Sequence, residues 1–146
     1  MPLMNYSTSV SVDKTVAEVH KILTQHGALE ISTQLFDKVP SGVSFLIKTR
    51  YGERAFRLPV NHDAVYKVLG QQYRQGKVPP RYVTKEQALR VSWRIAKDWL
   101  LAQMAILESE MVTLDEIMMP YMLLDDGKTV YERMASTHLT LPPGSD

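Results

Sequence analysis

The stretch from Val43 to Val60 limits the possible folds more than any other, because its side chains alternate with a period of two on both sides of Tyr51-Gly52. Taking Tyr51-Gly52 as a two-residue hairpin loop sets Arg50 opposite Glu53, Ile47 opposite Phe56, Phe45 opposite Leu58 and Val43 opposite Val60. One face then carries Val43, Phe45, Ile47, Thr49, Arg54, Phe56, Leu58 and Val60, mostly apolar and suited to a core. The other carries Lys48, Arg50 and Arg57 beside Ser44, Leu46 and Ala55. A slip of one residue would turn the basic side chains inward, which gives this pairing its physical reason.

A second long-range signal opens at Thr84-x-x-Gln87, which has the form of a capping box. Ala88, Val91, Ile95, Trp99, Ala102 and Ile106 form one stripe, and Leu89, Trp93, Ala96, Leu100, Leu107 and Met111 an adjoining one. The spacing predicts a helix of roughly 27 residues, about 40 Å long, apolar on nearly every side from Trp99 onward. Such a helix is central or lies in an oligomer contact.

The remaining elements follow from local patterns. Tyr6, Thr8, Val10 and Val12 alternate with Ser7, Ser9 and Ser11, which predicts a first strand from Leu3 to Val12. Asp13 then caps a helix from Lys14 to His26 that Gly27 stops. A second strand runs from Ala28 to Phe36 and ends in the turn-forming segment Asp37 to Gly42. Asn61 caps a helix through Val65, Val68, Leu69 and Tyr73 that stops at Gly76, and Pro79-Pro80 hold the linker Lys77 to Val83 extended. Beyond Val112, Thr113 or Asp115 caps a short turn that Pro120 ends. Leu123-Leu124 and Thr129 to Tyr131 form either a small hairpin or a compact loop, and residues 138–146 read as a flexible tail. The expected fold is a single α+β domain over residues 1–137, ordered β-α-β-β-β-α-α, with an antiparallel sheet packed on helices and a small C-terminal appendage.

With 146 residues, 45% hydrophobic and 23% charged, the chain fits one globular domain rather than two. It has no cysteine, hence no disulfide, no thiolate nucleophile and no Cys-ligated metal, and its first residues lack the form of a signal peptide. A soluble, cytoplasmic protein that does not enter membranes is expected. The net charge is only +1, so an electrostatic partner must be sought locally. Between Lys48 and Lys97 there are twelve basic and three acidic residues, a balance of +9, which leaves −8 for the rest of the chain.

Three basic clusters stand out: Lys48, Arg50 and Arg57 on the outer hairpin face, Arg74, Lys77 and Arg81 around the Pro-Pro linker, and Arg90, Arg94 and Lys97 along one helix face. Lining one groove, with Tyr51, Tyr73 and Tyr82 stacking on unpaired bases, they would hold a nucleic acid by its phosphates with little sequence preference. The competing readings are a solvated helix face with a hairpin guarded by Lys and Arg against edge pairing, and a surface for an acidic protein.

No residues point to catalysis. His20, His26, His62 and His138 show no ligand spacing, His62-Asp63 reads as helix capping, and Glu108, Glu110, Asp115 and Glu116 read as the solvated end of a helix rather than a Mg²⁺ site. Neither GxxxxGK[ST] nor GxGxxG occurs, so no nucleotide cofactor and no metal are expected. Met111, Met118, Met119 and Met122, with Trp93 and Trp99, fill an irregular core or form a surface for a homo-oligomer.

Two segments, FLIKTRYGERAFRLP at Phe45–Pro59 and VSWRIAKDWLLAQM at Val91–Met104, resemble small uncharacterised proteins of phages and integrated mobile elements. The order helix, three antiparallel strands, helix from Lys14 to Gln75 is similar to the core of phage single-strand annealing proteins such as Erf and Red-beta. That second resemblance implies an ATP-independent protein that oligomerises and holds single-stranded DNA along a basic groove. The expectation is therefore a non-enzymatic nucleic-acid-binding protein with a preference for single-stranded DNA; the alternative is a protein-binding adaptor or inhibitor.

Overall fold

A computed structural model describes residues 1–137; the expected tail at 138–146 lies outside the described residues. Helix α1 (Val12–Gln25) leads into strands β1 (Ala28–Phe36), β2 (Val39–Thr49) and β3 (Gly52–Arg57), followed by helix α2 (His62–Arg74) and a 3-10 turn (Pro80–Tyr82). The long helix α3 (Lys85–Glu108), helix α4 (Leu114–Met118), a second 3-10 turn (Met119–Tyr121) and helix α5 (Val130–Thr137) complete the domain. The strands form one antiparallel sheet in the order β1-β2-β3, so the fold is α+β.

The hairpin forms between β2 and β3, but its register is two residues away from the expected one. Phe45 pairs with Phe56, Lys48 with Glu53 and Thr49 with Gly52, which makes Arg50-Tyr51 the loop. A loop at Tyr51-Gly52 of the primed type would need positive φ at tyrosine. Instead Gly52 alone takes φ +101°, and the Thr49 hydroxyl accepts from the Tyr51 N–H at 3.1 Å while donating to the Gly52 carbonyl at 2.8 Å. Because the shift is even, the pleat is preserved: Val43, Phe45, Ile47, Phe56 and Leu58 are buried, and Lys48 and Arg57 still face away from the core.

The expected first strand is absent. Residues 4–7 form a turn, with Tyr6 N–H donating to Leu3 O and Thr8 N–H to Asn5 O. Side chains of other elements occupy the polar groups that a ladder would have used: Gln87 Nε2 donates to the carbonyls of both Tyr6 and Thr8 at 2.9 Å, and Leu3 N–H donates to Gln72 Oε1 at 2.8 Å. The element order is therefore α-β-β-β-α-α in its main part. Gln87 does not complete a capping box, since its side chain is spent on this segment; Thr84 caps α3 alone, accepting from Gln87 N–H at 3.0 Å.

Helix α1 is capped by Ser11 rather than Asp13, which falls in the first turn. Asn61 caps α2 as its sequence implies. The Pro-Pro linker is extended only at Pro79, after which Pro80–Tyr82 wind into a 3-10 turn. Thr129 and Glu132 exchange reciprocal bonds at the start of α5, an element the alternating pattern of Thr129 to Tyr131 concealed.

Helices α1 and α3 cover one face of the sheet around a core that includes Val19, Leu23, Val43, Phe45, Phe56, Trp93, Leu100 and Met118. Trp93 is fully buried and donates its indole N–H to the Pro40 carbonyl at 3.0 Å. It lies in the core, together with Met104 and Met118, and takes no part in a surface for self-association. A smaller cluster of Leu69, Val78 and Ala88 lies between α2 and α3 and is flanked by Leu3, Tyr6 and Tyr82.

Candidate functional site

The side chains expected to contact nucleic acid have three different fates. On the hairpin, Lys48 sits across from Glu53, and Arg57 donates to the Gly127 carbonyl at 3.2 Å and pairs with Glu132 at 3.7 Å. Arg50 occupies the exposed loop near Glu116, whose carboxyl is held below its ordinary range by the Thr113 backbone and hydroxyl bonds with help from the Arg50 charge. Of these three, Arg57 alone makes an ion pair among the described residues.

On α3 the basic stripe is turned inward. Arg94 donates to Glu18 Oε2 at 2.6 Å and to Thr15 Oγ1 at 3.3 Å on α1, Lys97 pairs with Asp98 at 2.8 Å, and Arg90 Nε donates to Gln87 Oε1 at 3.0 Å. Burial opposes ionisation of Asp98, but bonds from Lys97 and Asn5 and the charges of Lys97 and Arg94 outweigh it and keep the carboxyl below its usual range. Helix α3 packs on the sheet face that bears Val43 and Phe45, whereas Lys48 and Arg57 project from the opposite face. The hairpin and helix clusters consequently do not line a common groove, contrary to the expectation from the sequence.

In the third cluster Arg81 donates to the Tyr82 hydroxyl at 3.2 Å. Arg74, Lys77 and Arg81 are exposed at the end of α2 and through the following turn, and none makes an ion pair among the described residues. From Ala64 to Lys85 the chain has five cations, Lys67, Arg74, Lys77, Arg81 and Lys85, and no Asp or Glu. All five are exposed.

Of the three tyrosines, Tyr73 is 48% exposed on this surface and Tyr51 stands at the hairpin tip. Tyr82 is not available for stacking: it meets Tyr6 edge-on at 5.4 Å, packs on the smaller core cluster, and has the Arg81 guanidinium 4.6 Å above its ring. Tyr66 and Lys67, which the sequence reading passed over, share the face of α2 with Tyr73 and Arg74. The signal was their spacing, since each pair is seven residues apart, two helical turns.

Elsewhere the surface offers shallow grooves. One of about 470 Å³ lies on the outer sheet face and is lined by Glu30, Ser32, Ser44, Leu46 and Ala55, with Glu30 its one ionisable group. Among the described residues no three His, Asp or Glu side chains converge as metal ligands would. His26 bridges the ends of α1 and α3, its Nδ1 2.8 Å from the Ile22 carbonyl and its Nε2 2.8 Å from Glu108 Oε1. The Ile22 carbonyl and then the Glu108 carboxylate raise its pKa above the ordinary value of 6.5. No helix among the described residues is long and apolar enough to cross a membrane. No protein family, no curated protein and no solved structure matches the chain.

Proposed function

We propose that the protein is a non-enzymatic nucleic-acid-binding protein whose binding surface is the basic face of α2 and the turn after it. The observation that carries this reading is the run of five exposed cations without an intervening carboxylate between Ala64 and Lys85, on a chain whose net charge is only +1. Tyr66 and Tyr73, 37% and 48% exposed, stand about 10 Å apart along the helix axis and offer two stacking faces beside the phosphate-binding cations. Single-stranded DNA is the favoured ligand because its bases are open to such stacking. Annealing of complementary strands is the activity to assay next, on the resemblance in element order that the sequence suggests to phage annealing proteins.

Fluorescence anisotropy with a labelled oligothymidylate tests the reading. Contact with about four phosphates gives a log–log salt slope near −3 on a single strand, a loss of about 50-fold between 50 and 200 mM salt. Arg74→Glu with Lys77→Glu should reduce the slope by about 1.4 and abolish tight binding, whereas Lys48→Glu on the hairpin should change affinity by less than about twofold. Binding that is indifferent to the α2 reversal refutes the assignment. A second reading, a protein-binding module, draws on Met111, Met119 and Met134, which are 75, 51 and 41% exposed near the C-terminal helices. Stoichiometric capture of one protein after nuclease treatment, lost in Met119→Asp, would favour it.

A further inference from the structure

Glycine is the poorest helix former after proline, yet Gly70 sits inside α2. The chain's own packing does not require it. Its φ is not positive, and a Cβ built there would stand 3.6 Å from Arg74 Nη1 and 4.0 Å from Val83 Cγ1, which are ordinary contacts. The fold would accept alanine at this position and gain from it, so the bare backbone is explained by something outside the chain.

On a helix surface the neighbours of a residue lie three and four positions away. For Gly70 these four are Tyr66, Lys67, Tyr73 and Arg74, two aromatic rings and two cations, all exposed. A turn of about 100° per residue sets both tyrosines on one flank of Gly70 and both cations on the other. Apart from Val83, the group lying over the glycine is the Arg74 guanidinium, the far end of a flexible side chain. The one carboxylate of α2, Asp63, precedes Lys67 by a turn and lies 3.5 Å from His62, outside this square. Seven residues of helix separate the tyrosines by about 10 Å, and bases along a strand recur about every 3.4 Å, so three stacking intervals span the same distance. Two stacked bases fit between the rings, provided that the floor beneath them carries no side chain.

We propose that Gly70 is the floor of a dinucleotide slot, in which two consecutive bases of a single strand stack between Tyr66 and Tyr73 while Lys67 and Arg74 take their phosphates. The proposal rests on the reading of α2 as the nucleic-acid-binding face and assigns the step at which that face meets bases. Ring-to-base stacking selects unpaired bases, and cations along one flank select a strand whose phosphates run beside them.

Fluorescence anisotropy at fixed salt, comparing labelled oligothymidylate with an abasic deoxyribose-phosphate strand of equal length and charge, tests the slot. The parent should hold the thymidylate about 30-fold more tightly, from the stacking of two bases. Gly70→Leu, whose side chain fills the slot, should lose about tenfold on thymidylate, bind the abasic strand within about twofold of the parent and keep the salt slope. Tyr66→Ala and Tyr73→Ala, at exposed positions, should each show the same selective loss of about five- to tenfold, and they decide the matter independently of how leucine affects the helix. Gly70→Ala should melt about 2–4 °C above the parent by circular dichroism. Equal binding of the two strands by the parent, or thymidylate binding untouched by Gly70→Leu and by both tyrosine variants, overturns the slot and leaves the cationic face standing. A lowered melting point in Gly70→Ala overturns it too, because the glycine then serves the fold. Absence of salt-dependent binding to either strand overturns the slot together with the reading on which it rests.

Discussion

Replacing Gln87 by glutamate changes one amide into a carboxylate of the same shape and isolates the bonds that hold the N-terminal segment. Gln87 is only 4% exposed, and its Nε2 donates to the Tyr6 and Thr8 carbonyls while its Oε1 accepts from Arg90. A carboxylate keeps the bond from Arg90 but loses both donors and turns an acceptor toward two carbonyl oxygens. Two lost bonds at about 1 kcal/mol each, with some desolvation and repulsion added, give a destabilisation of about 2–4 kcal/mol. Part of this is relieved by local release of residues 3–10, which also uncovers Leu69, Val78 and Ala88, the cluster on which Leu3 and Tyr6 pack. For a domain of this size the melting temperature should fall by about 6–12 °C. Hydrogen exchange followed by mass spectrometry should show Leu3 to Ser11 deprotected while β2 and β3 remain protected. Gln87→Glu with a melting point within about 1 °C of the parent and an N-terminal segment still protected would refute the account of why this segment is not a strand.

Both ring nitrogens of His26 face acceptors, so only the doubly protonated ring donates both bonds, and the raised pKa fixes the sign of its effect. Its stabilising contribution is present in full below pH 6.5 and is lost as pH rises through the higher folded-state value; an NMR titration should show that value drop in Glu108→Gln, and no drop would exclude the carboxylate as a cause. Arg94→Ala removes the partner of Glu18 and one bond of Thr15 in a half-buried contact and should cost about 1–2 kcal/mol in urea denaturation, whereas Arg74→Gln, which loses no ion pair among the described residues, should stay within about 0.5 kcal/mol of the parent. Gly52→Ala should cost about 1 kcal/mol in the same experiment because φ at this position is +101°, and a neutral result would mean that the loop can move to another register.

Patterns that depend on near neighbours were legible in the chain, and those that depend on distant partners were not. Thr84, Asn61 and Gly27 act on the backbone within three or four residues, so their roles could be read directly. Alternation marked the faces of β2 and β3 correctly even though the register was off by two, because an even shift leaves every side chain on its own side. The same alternation misled at Tyr6 to Val12, where the deciding bonds come from Gln87, some eighty residues away. Charge shows the same division. Arg90, Arg94 and Lys97 looked like a solvent-facing stripe by their spacing, yet the carboxylate that takes Arg94 lies 76 residues earlier, on a helix whose packing the sequence does not announce. What could be read locally was the absence of acid between Ala64 and Lys85: Lys67, Arg74, Lys77, Arg81 and Lys85 have no carboxylate of their own segment to meet, and among the described residues none reaches them from elsewhere. A run of one sign leaves its cations unpaired unless another element supplies carboxylates. Sign homogeneity along the chain, more than the number of basic residues, is therefore what separates the α2 face from Arg57 on the hairpin and from Arg94 and Lys97 on α3, each of which has an ion-pair partner.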